Sequence, residues 1–282
     1  MNLFCDLHTH SYYSDGTSSP AEIVELAKQN SISAVALCDH NTIGGVKEFL
    51  NLANKNGIIG VSGCEISTEY QAIELHILAL FIPENAYGKV TEFVAPMLKR
   101  KLDSNKNLID NLNANGYKVS FEKLVASSRE GNFNRANIAA ELVKKGYVES
   151  VASAFKSVLS KIDGFYNPPK RIDSFEAIRF IKSIGAVPVL AHPFIDLNET
   201  ELREFLKVAV PCGLLGMETI YSTYSQEESD LAKQIATEYG ILQSGGSDFH
   251  GTNKDGIRLG VGFGNLRVPY GFALKLEELS KN

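Results

Sequence analysis

Residues 3–20, LFCDLHTHSYYSDGTSSP, decide the fold. Leu3–Thr9 is an apolar run of strand length that stops at a polar loop. Ser19-Pro20 then opens a helix over 20–29, with Ser19 as N-cap, proline at the first position and Glu22 in the first turn. The same alternation recurs along the chain. Ala34–Asp39 predicts a strand, and 45–56 a helix closed by Gly57 as a left-handed cap. Ile58–Ile66 and Leu75–Phe81 predict strands. Further on come a helix over 175–183, a strand 187–191, a helix 199–208, a strand 214–220, a helix 226–239 and a strand 241–244. This βαβα rhythm predicts an α/β fold with a mainly parallel sheet. With about seven strand–helix units, a closed or nearly closed TIM-like barrel is expected rather than an open sheet.

Residues 99–171 break the rhythm. They read as helices only, over 90–113, 135–145 and 151–161, with GFYNPP (164–169) as the return linker. They hold 14 Lys+Arg against 7 Asp+Glu, while the rest of the chain holds 14 against 26. The expected organisation is a barrel from 1–98 and 172–282 with a small basic helical domain, 99–171, inserted in it to cap the substrate. A basic segment on an acidic body attracts an anionic substrate. An excess of this size fits a small phosphorylated ligand or short RNA better than duplex DNA.

The chain has 282 residues, 44% hydrophobic and 22% charged, an ordinary globular balance with material for a sizeable core. The longest apolar run, Ile77–Ile82, is far too short for a membrane span. The N-terminus lacks the basic and apolar regions of a signal peptide. Cys5, Cys38, Cys64 and Cys212 form no Cys-x-x-Cys pair, which argues against a disulfide framework or zinc ribbon. A cytoplasmic protein with reduced thiols is expected, monomeric or a small homo-oligomer.

The six histidines carry the chemistry. His8, His10, His40, His76, His192 and His250 each fall at or just beyond the end of a predicted strand, the rim where a barrel places its active site. His8 and His10, two apart on a strand, point to the same side. Asp15 follows in the SDG turn, Asp39-His40 ends the second strand and Glu65 the third. His192-Pro193 follows VPVLA, and Asp248-Phe249-His250 follows Gly245-Gly246. Imidazoles with carboxylates suit Zn, Mn or Fe. Nine ligands (His8, His10, Asp15, His40, Glu65, His76, His192, Asp248, His250) exceed the needs of one cation, so two or three divalent cations are implied. A single closed zinc site would use four and leave the rest unexplained.

HTHSYYSDG, LCDHNT, the Glu65/His76 pair, AHP and GGSDFHG resemble, in order, the motifs of the PHP (polymerase and histidinol phosphatase) superfamily. The resemblance covers essentially the whole chain. It implies a distorted (β/α)7 barrel with a trinuclear centre of Mn, Zn, Fe or Mg. His8, His10, Glu65 and Asp248 would hold one cation. Glu65, as a bridge, with His76 and His192 would hold the second, and Asp15, His40 and His250 the third. The stretch 132–155, NFNRANIAAELVKKGYVESVASAF, is similar to the insert of a subgroup containing nucleoside 3',5'-bisphosphate phosphatases and 5'-to-3' exoribonucleases on short RNA. There the stretch usually reads Arg-x-His; here it reads Arg135-Ala136-Asn137. Phe194-Ile195 also stand where glycine and a basic residue are common, and Asn41 where many relatives have aspartate.

The implied activity is hydrolysis of a phosphate ester, of a nucleoside 3',5'-bisphosphate or a short 5'-phosphorylated oligoribonucleotide, by hydroxide held on the cations. Arg135 would pair with a second phosphate, with Asn137 beside the substrate. Other readings are a PHP phosphatase on a different small phosphorylated metabolite, an amidohydrolase-type C–N hydrolase, or a non-catalytic metal-binding module. Tyr221 and Tyr224 read as rim packing or as base-stacking groups, and Lys170 and Arg171 as a solvated linker or as groups lining the same cleft. GVGFGN (260–265) lacks the Lys-Ser/Thr of a phosphate-binding loop.

Overall fold

The computed structural model describes residues 3–128 and 133–281. Met1, Asn2, residues 129–132 and Asn282 lie outside it, among them Asn132, which opens the quoted helical stretch. The strands are β1 (Phe4–Thr9), β2 (Ile32–Leu37), β3 (Ile59–Tyr70), β4 (Ile73–Leu80), β5 (Ile172–Asp173), β6 (Val187–Leu190), β7 (Gly216–Tyr221), β8 (Leu242–Gly246) and β9 (Val268–Pro269). They form one sheet in the order β8-β7-β6-β4-β3-β2-β1-β9, with β5 beside β3. Beyond β8 the chain returns to β1: Thr9 bridges Phe249 in parallel, and the Asp248 N–H donates to His8 O at 2.8 Å. The sheet is thereby a nearly closed barrel.

The sheet is mainly parallel, but β4 runs antiparallel to both β3 and β6, and β9 to β1. Gln71 and Ala72 both have positive φ, 49° and 65°, the conformation that joins two strands in a tight hairpin. β3 and β4 are therefore one long hairpin rather than two strands of the βα rhythm.

The helices of the barrel are α1 (Pro20–Gln29), α2 (Val46–Lys55), the first part of α3 (Tyr87–Ala114), α7 (Ser174–Ser183), α8 (Pro193–Asp196), α9 (Glu199–Cys212), α10 (Gln226–Glu238) and α11 (Tyr270–Ser280). The start of α1 is a full capping box between Ser19 and Glu22. β2 is covered on both faces. Ala34, Ala36 and Cys38 pack with Cys5, Leu7, Leu78 and Val189, whereas Val35 and Leu37 pack with Ile23, Ala27 and Phe49 of α1 and α2. α11, which the sequence reading passed over, adds Ala273 and Leu276 to the first of these clusters.

The chain divides into two compact units, Met1–Val94 with Arg171–Asn282, and Ala95–Lys170. The second holds the rest of α3, then α4 (Phe121–Ser127), α5 (Arg135–Lys144) and α6 (Val151–Lys156). It has its own core, including Leu108, Leu112, Phe133, Ile138 and Leu142. Among the described residues, no helix is long and apolar enough to cross a membrane.

Candidate metal centre

All nine side chains singled out as ligands lie in the first unit and converge. β1 supplies His8 and the residue after it supplies His10, both fully buried. Their approach depends on Gly246: a Cβ there would stand 2.5 Å from His8 Cβ and 2.6 Å from its backbone nitrogen. His40 follows β2 and bridges to Glu65. Glu65 and His76 are not at strand ends. Glu65 lies inside β3, and the hairpin pairs Ser67 with His76. The antiparallel course of β4 brings its early residue His76 to the rim that the parallel strands reach with their ends. His192 and Asp248 follow β6 and β8 with φ of 29° and 54°. Such a backbone is strained for a non-glycine residue and is held by its surroundings. Asn41 shares it, at 52°; its amide donates to Ser67 Oγ and accepts from the Ser67 N–H, both at 3.1 Å, which fixes the turn after His40.

Glu65 is the hub. Its Oε2 lies 3.3 Å from His8 Nε2, 3.1 Å from His10 Nε2 and 3.1 Å from His40 Nδ1. Its Oε1 lies 2.9 Å from His76 Nδ1 and 3.2 Å from His192 Nε2. Asp248 Oδ1 lies 3.2 Å from His10 Nε2 and 3.3 Å from His250 Nδ1. Asp15 stands 3.2 Å from His250 Nε2 and 3.6 Å from both His10 Nδ1 and His40 Nε2. Three groups have ligand atoms all within 4.8 Å of one another: His10, Asp15, His40 and His250; His8, His10 and Glu65; and His40, Glu65 and His76. His10, His40 and Glu65 are each shared by two groups. The donor atoms fit divalent cations. His8 Nε2, both His10 nitrogens, His40 Nδ1, Glu65 Oε2, His76 Nδ1, His192 Nδ1 and Asp248 Oδ1 are buried without a hydrogen-bond partner. So many orphaned donors and acceptors in one place is costly unless a further group satisfies them.

A second ring of carboxylates fixes these ligands, and the sequence reading gave it no role. Glu218 takes His8 Nδ1 at 3.1 Å and accepts from the His192 N–H at 2.7 Å. That leaves His8 Nε2 for a cation, the usual carboxylate–histidine–metal arrangement. Glu74 stands 3.4 Å from His76 Nε2 and is itself paired with Arg171 at 2.5 Å. Arg171 is therefore anchored, not a solvated linker residue. Asp39 accepts from the Ser11 N–H and hydroxyl and from the Ser14 hydroxyl, at 2.6–2.8 Å. Asp6 accepts from Ser247 and from the Gly260 N–H at 2.6 Å, so the glycine-rich stretch serves the β1–β8 junction. A carboxylate inside an apolar strand, Asp6 in FCDLHT and Glu218 in GMETIY, was the signal available for two of these groups.

Burial alone would raise the central carboxyls, but the imidazoles facing them dominate. His40, His8 and His76 hold Glu65 well below the usual range, and His8, His10 and Lys254 do the same for Asp248. Asp15 is likewise lowered, by His40 and His250. Burial lowers His10 and His76 as well, but the carboxylates beside them prevail and raise them to about 9 and about 10. In the metal-free protein these two imidazoles carry protons that a cation would displace. The thiols of Cys5, Cys38 and Cys64 are buried and pushed up, so they pack as protonated groups.

The site opens into a cleft of about 290 Å³ lined by His40, Glu65, His76, His192, Tyr221 and Lys254, among others. Tyr221 and Tyr224 are nearly buried and hydrogen-bonded, Tyr221 to Asp248 and Tyr224 to the Phe194 N–H, so they serve as rim packing rather than as free stacking platforms. In the other unit, the Arg135 guanidinium stacks on Tyr166 at 3.9 Å and Phe155 at 5.1 Å. Asn137 closes the α5 capping box by accepting from the Asn134 N–H at 2.8 Å.

The PHP domain family matches residues 6–180. A 5'-3' exoribonuclease of Haemophilus influenzae is 29% identical over 246 residues, 87% of this chain and 89% of that protein. A phosphoribosyl 1,2-cyclic phosphate 1,2-diphosphodiesterase of Eggerthella lenta is 28% identical over 94% of this chain and 98% of its own. A 3',5'-nucleoside bisphosphate phosphatase of Chromobacterium violaceum is 26% identical over 90% of each. An amidohydrolase structure from C. violaceum superposes with a TM-score of 0.85 at 24% identity, over 98% of this chain and 97% of that one; this likeness is one of fold.

Proposed function

The chain belongs to the PHP domain family, and from that premise we propose that it is a metal-dependent phosphoesterase acting on a small nucleotide. The substrate is a nucleoside 3',5'-bisphosphate or a short 5'-phosphorylated oligoribonucleotide. The single observation that carries the reading is Glu65, whose two oxygens are shared among five imidazoles. A carboxylate so placed would serve as a ligand shared between cations.

Two to three divalent cations are assigned. His8, His10, Glu65 and Asp248 would hold one; Glu65, His76 and His192 would hold the second; Asp15, His40 and His250 would hold a third. Their identity is Mn, Zn, Fe or Mg. Such cations supply a nucleophile from water at neutral pH and neutralise the phosphoryl oxygens. The chain's own groups do the rest. Glu218 and Glu74 orient His8 and His76, and the walls of the cleft hold the phosphoryl group against the ligands. From the basic insert, Arg135 would pair with a second phosphate, because the planar guanidinium fork matches phosphate oxygens. Asn137, two residues on, would stand beside the substrate, as the resemblance implies. The names of the relatives from H. influenzae and C. violaceum support this substrate class. The working place is the cytoplasm, as monomer or small homo-oligomer, without duplex DNA or membrane.

One observation favours a second reading of the substrate. Phe194 and Ile195 line a groove of about 450 Å³ with Asp196, Glu199 and Glu228, and among the described residues no lysine or arginine lines it. A second phosphate is repelled there. A phosphorylated metabolite with a neutral remainder fits that side better.

The test is incubation of manganese-loaded protein with adenosine 3',5'-bisphosphate and with short 5'-phosphorylated RNA, with His8→Ala as control. Phosphate from the bisphosphate or mononucleotides from RNA, absent in the variant, are expected. Turnover of a generic aryl phosphate alone would favour the second reading. No turnover of any phosphate ester would contradict both.

A further inference from the structure

We propose that Tyr221 and Lys254 are positioning residues that restrict Asp248 to binding metal through one oxygen. The inference rests on the metal-centre reading above and goes beyond it in assigning two residues outside the ligand set.

The two central carboxylates are held in different ways. Glu65 meets imidazole nitrogens at both oxygens. Asp248 is divided. Its Oδ2 accepts from the Tyr221 hydroxyl at 2.7 Å and is ion-paired with Lys254 Nζ. Its Oδ1 is buried, has no hydrogen-bond partner, and lies 3.2 Å from His10 Nε2, 3.3 Å from His250 Nδ1 and 3.6 Å from His8 Nε2. A free carboxylate binds a cation through one oxygen or through both. Two donors on Oδ2 remove the second option and aim Oδ1 at the imidazoles.

Both donors are themselves fixed. The Tyr221 ring packs 5.3 Å from the His192 ring and 5.3 Å from that of Tyr224, between centroids. Lys254 follows a short turn, Gly251–Asn253, that is tied to the Asp15 loop: the Thr252 N–H donates to Thr17 Oγ1 at 2.9 Å and Asn253 Nδ2 to Asp15 O at 2.7 Å. Among the described residues, Lys254 is also the one lysine or arginine lining a cleft that contains Glu65, Glu74, Asp196 and Asp248. One-oxygen binding keeps a coordination position open for the substrate.

The experiment uses the full chain, stripped of metal, with Tyr221→Phe, Lys254→Met, the double variant and Lys254→Arg. Affinity for Mn²⁺ and Co²⁺ is read by competition with a chromophoric chelator, and the visible spectrum of the bound Co²⁺ reports its coordination. Thermal melts confirm that each variant folds; Tyr221→Phe removes a single hydroxyl and keeps the packing. The expected result is affinity about 10–100-fold weaker for the double variant. Its cobalt absorption should weaken as Asp248 takes the metal with both oxygens, and Lys254→Arg should recover most of the loss. Wild-type affinity and spectrum in the folded double variant overturn the inference. So does a rise in KM for a phosphate ester at unchanged metal affinity, which would make Lys254 a substrate contact. A wild-type protein that binds neither ion overturns the metal-centre reading, and this inference with it.

Discussion

His76 Nδ1 lies 2.9 Å from Glu65 Oε1, and the two residues face each other because β3 and β4 are one hairpin in which Ser67, two residues beyond Glu65, pairs with His76. The reversal of β4 is the feature that completes the ligand ring. A parallel strand in its place would carry His76 toward the opposite end of the barrel.

Replacing Glu65 with glutamine removes the charge that five imidazoles share. The neutral amide cannot bridge cations. Bound metal, measured by elemental analysis, is expected to fall, and hydrolysis to drop by more than about 100-fold, beyond the 10–100-fold usual for outer-shell changes. A folded variant with full metal content and turnover would contradict the account.

Glu218→Gln tests the ring behind the ligands. Loss of the carboxylate frees the His8 tautomer and weakens the partner of the buried His192 N–H. Metal affinity is expected to weaken about 10–100-fold. Stability of the metal-free protein should fall by about 1–3 kcal/mol. Chelator competition and denaturant unfolding measure the two effects.

Most of the centre was legible in the sequence, and the reason is chemical. His-x-His on a strand, a carboxylate in the next turn and Asp-x-His after two glycines leave few alternatives to cation binding, and the structure draws these nine residues together. Three things were less legible. The reversal of β4 depends on φ at Gln71 and Ala72, neither of which is a typical turn residue. Lys254 and Glu74 reach the site through tertiary folding from segments that read as an ordinary loop and strand. α11 carries weak periodicity, and only its contacts with the barrel strands show why it forms.

Proton competition gives the pH dependence. His10 and His76 are raised to about 9 and about 10 from 6.5. Their pairing stabilises the metal-free fold fully below about 6.5 and is lost as pH rises through those raised values. Glu65, Asp15 and Asp248 are lowered, so their contribution is present above the ordinary carboxylate range and lost as pH falls below it through their lowered values. Cations must displace the imidazole protons. Manganese affinity is therefore expected to tighten steadily from pH 6 to 9, with proton release detectable by calorimetry in buffers of different ionisation enthalpy. A flat profile would count against His10 and His76 as ligands.

Gly246→Ala tests how closely β8 must approach β1. The added methyl meets His8 Cβ and N at 2.5 and 2.6 Å, and a backbone nitrogen cannot swing away as a flexible side chain can. Destabilisation of about 1–3 kcal/mol is expected from overpacking, together with weaker metal binding as His8 shifts. An unchanged melting temperature would show that the strands have slack.

The most direct measurement is to strip the protein with a chelator, add manganese back in steps, and record bound metal and phosphate release from an aryl phosphate on the same samples. The account predicts no hydrolysis by the stripped protein, rising activity as the sites fill, and more than one cation per chain at the plateau. Hydrolysis by the stripped protein at the full rate, or none when it is loaded, would contradict it.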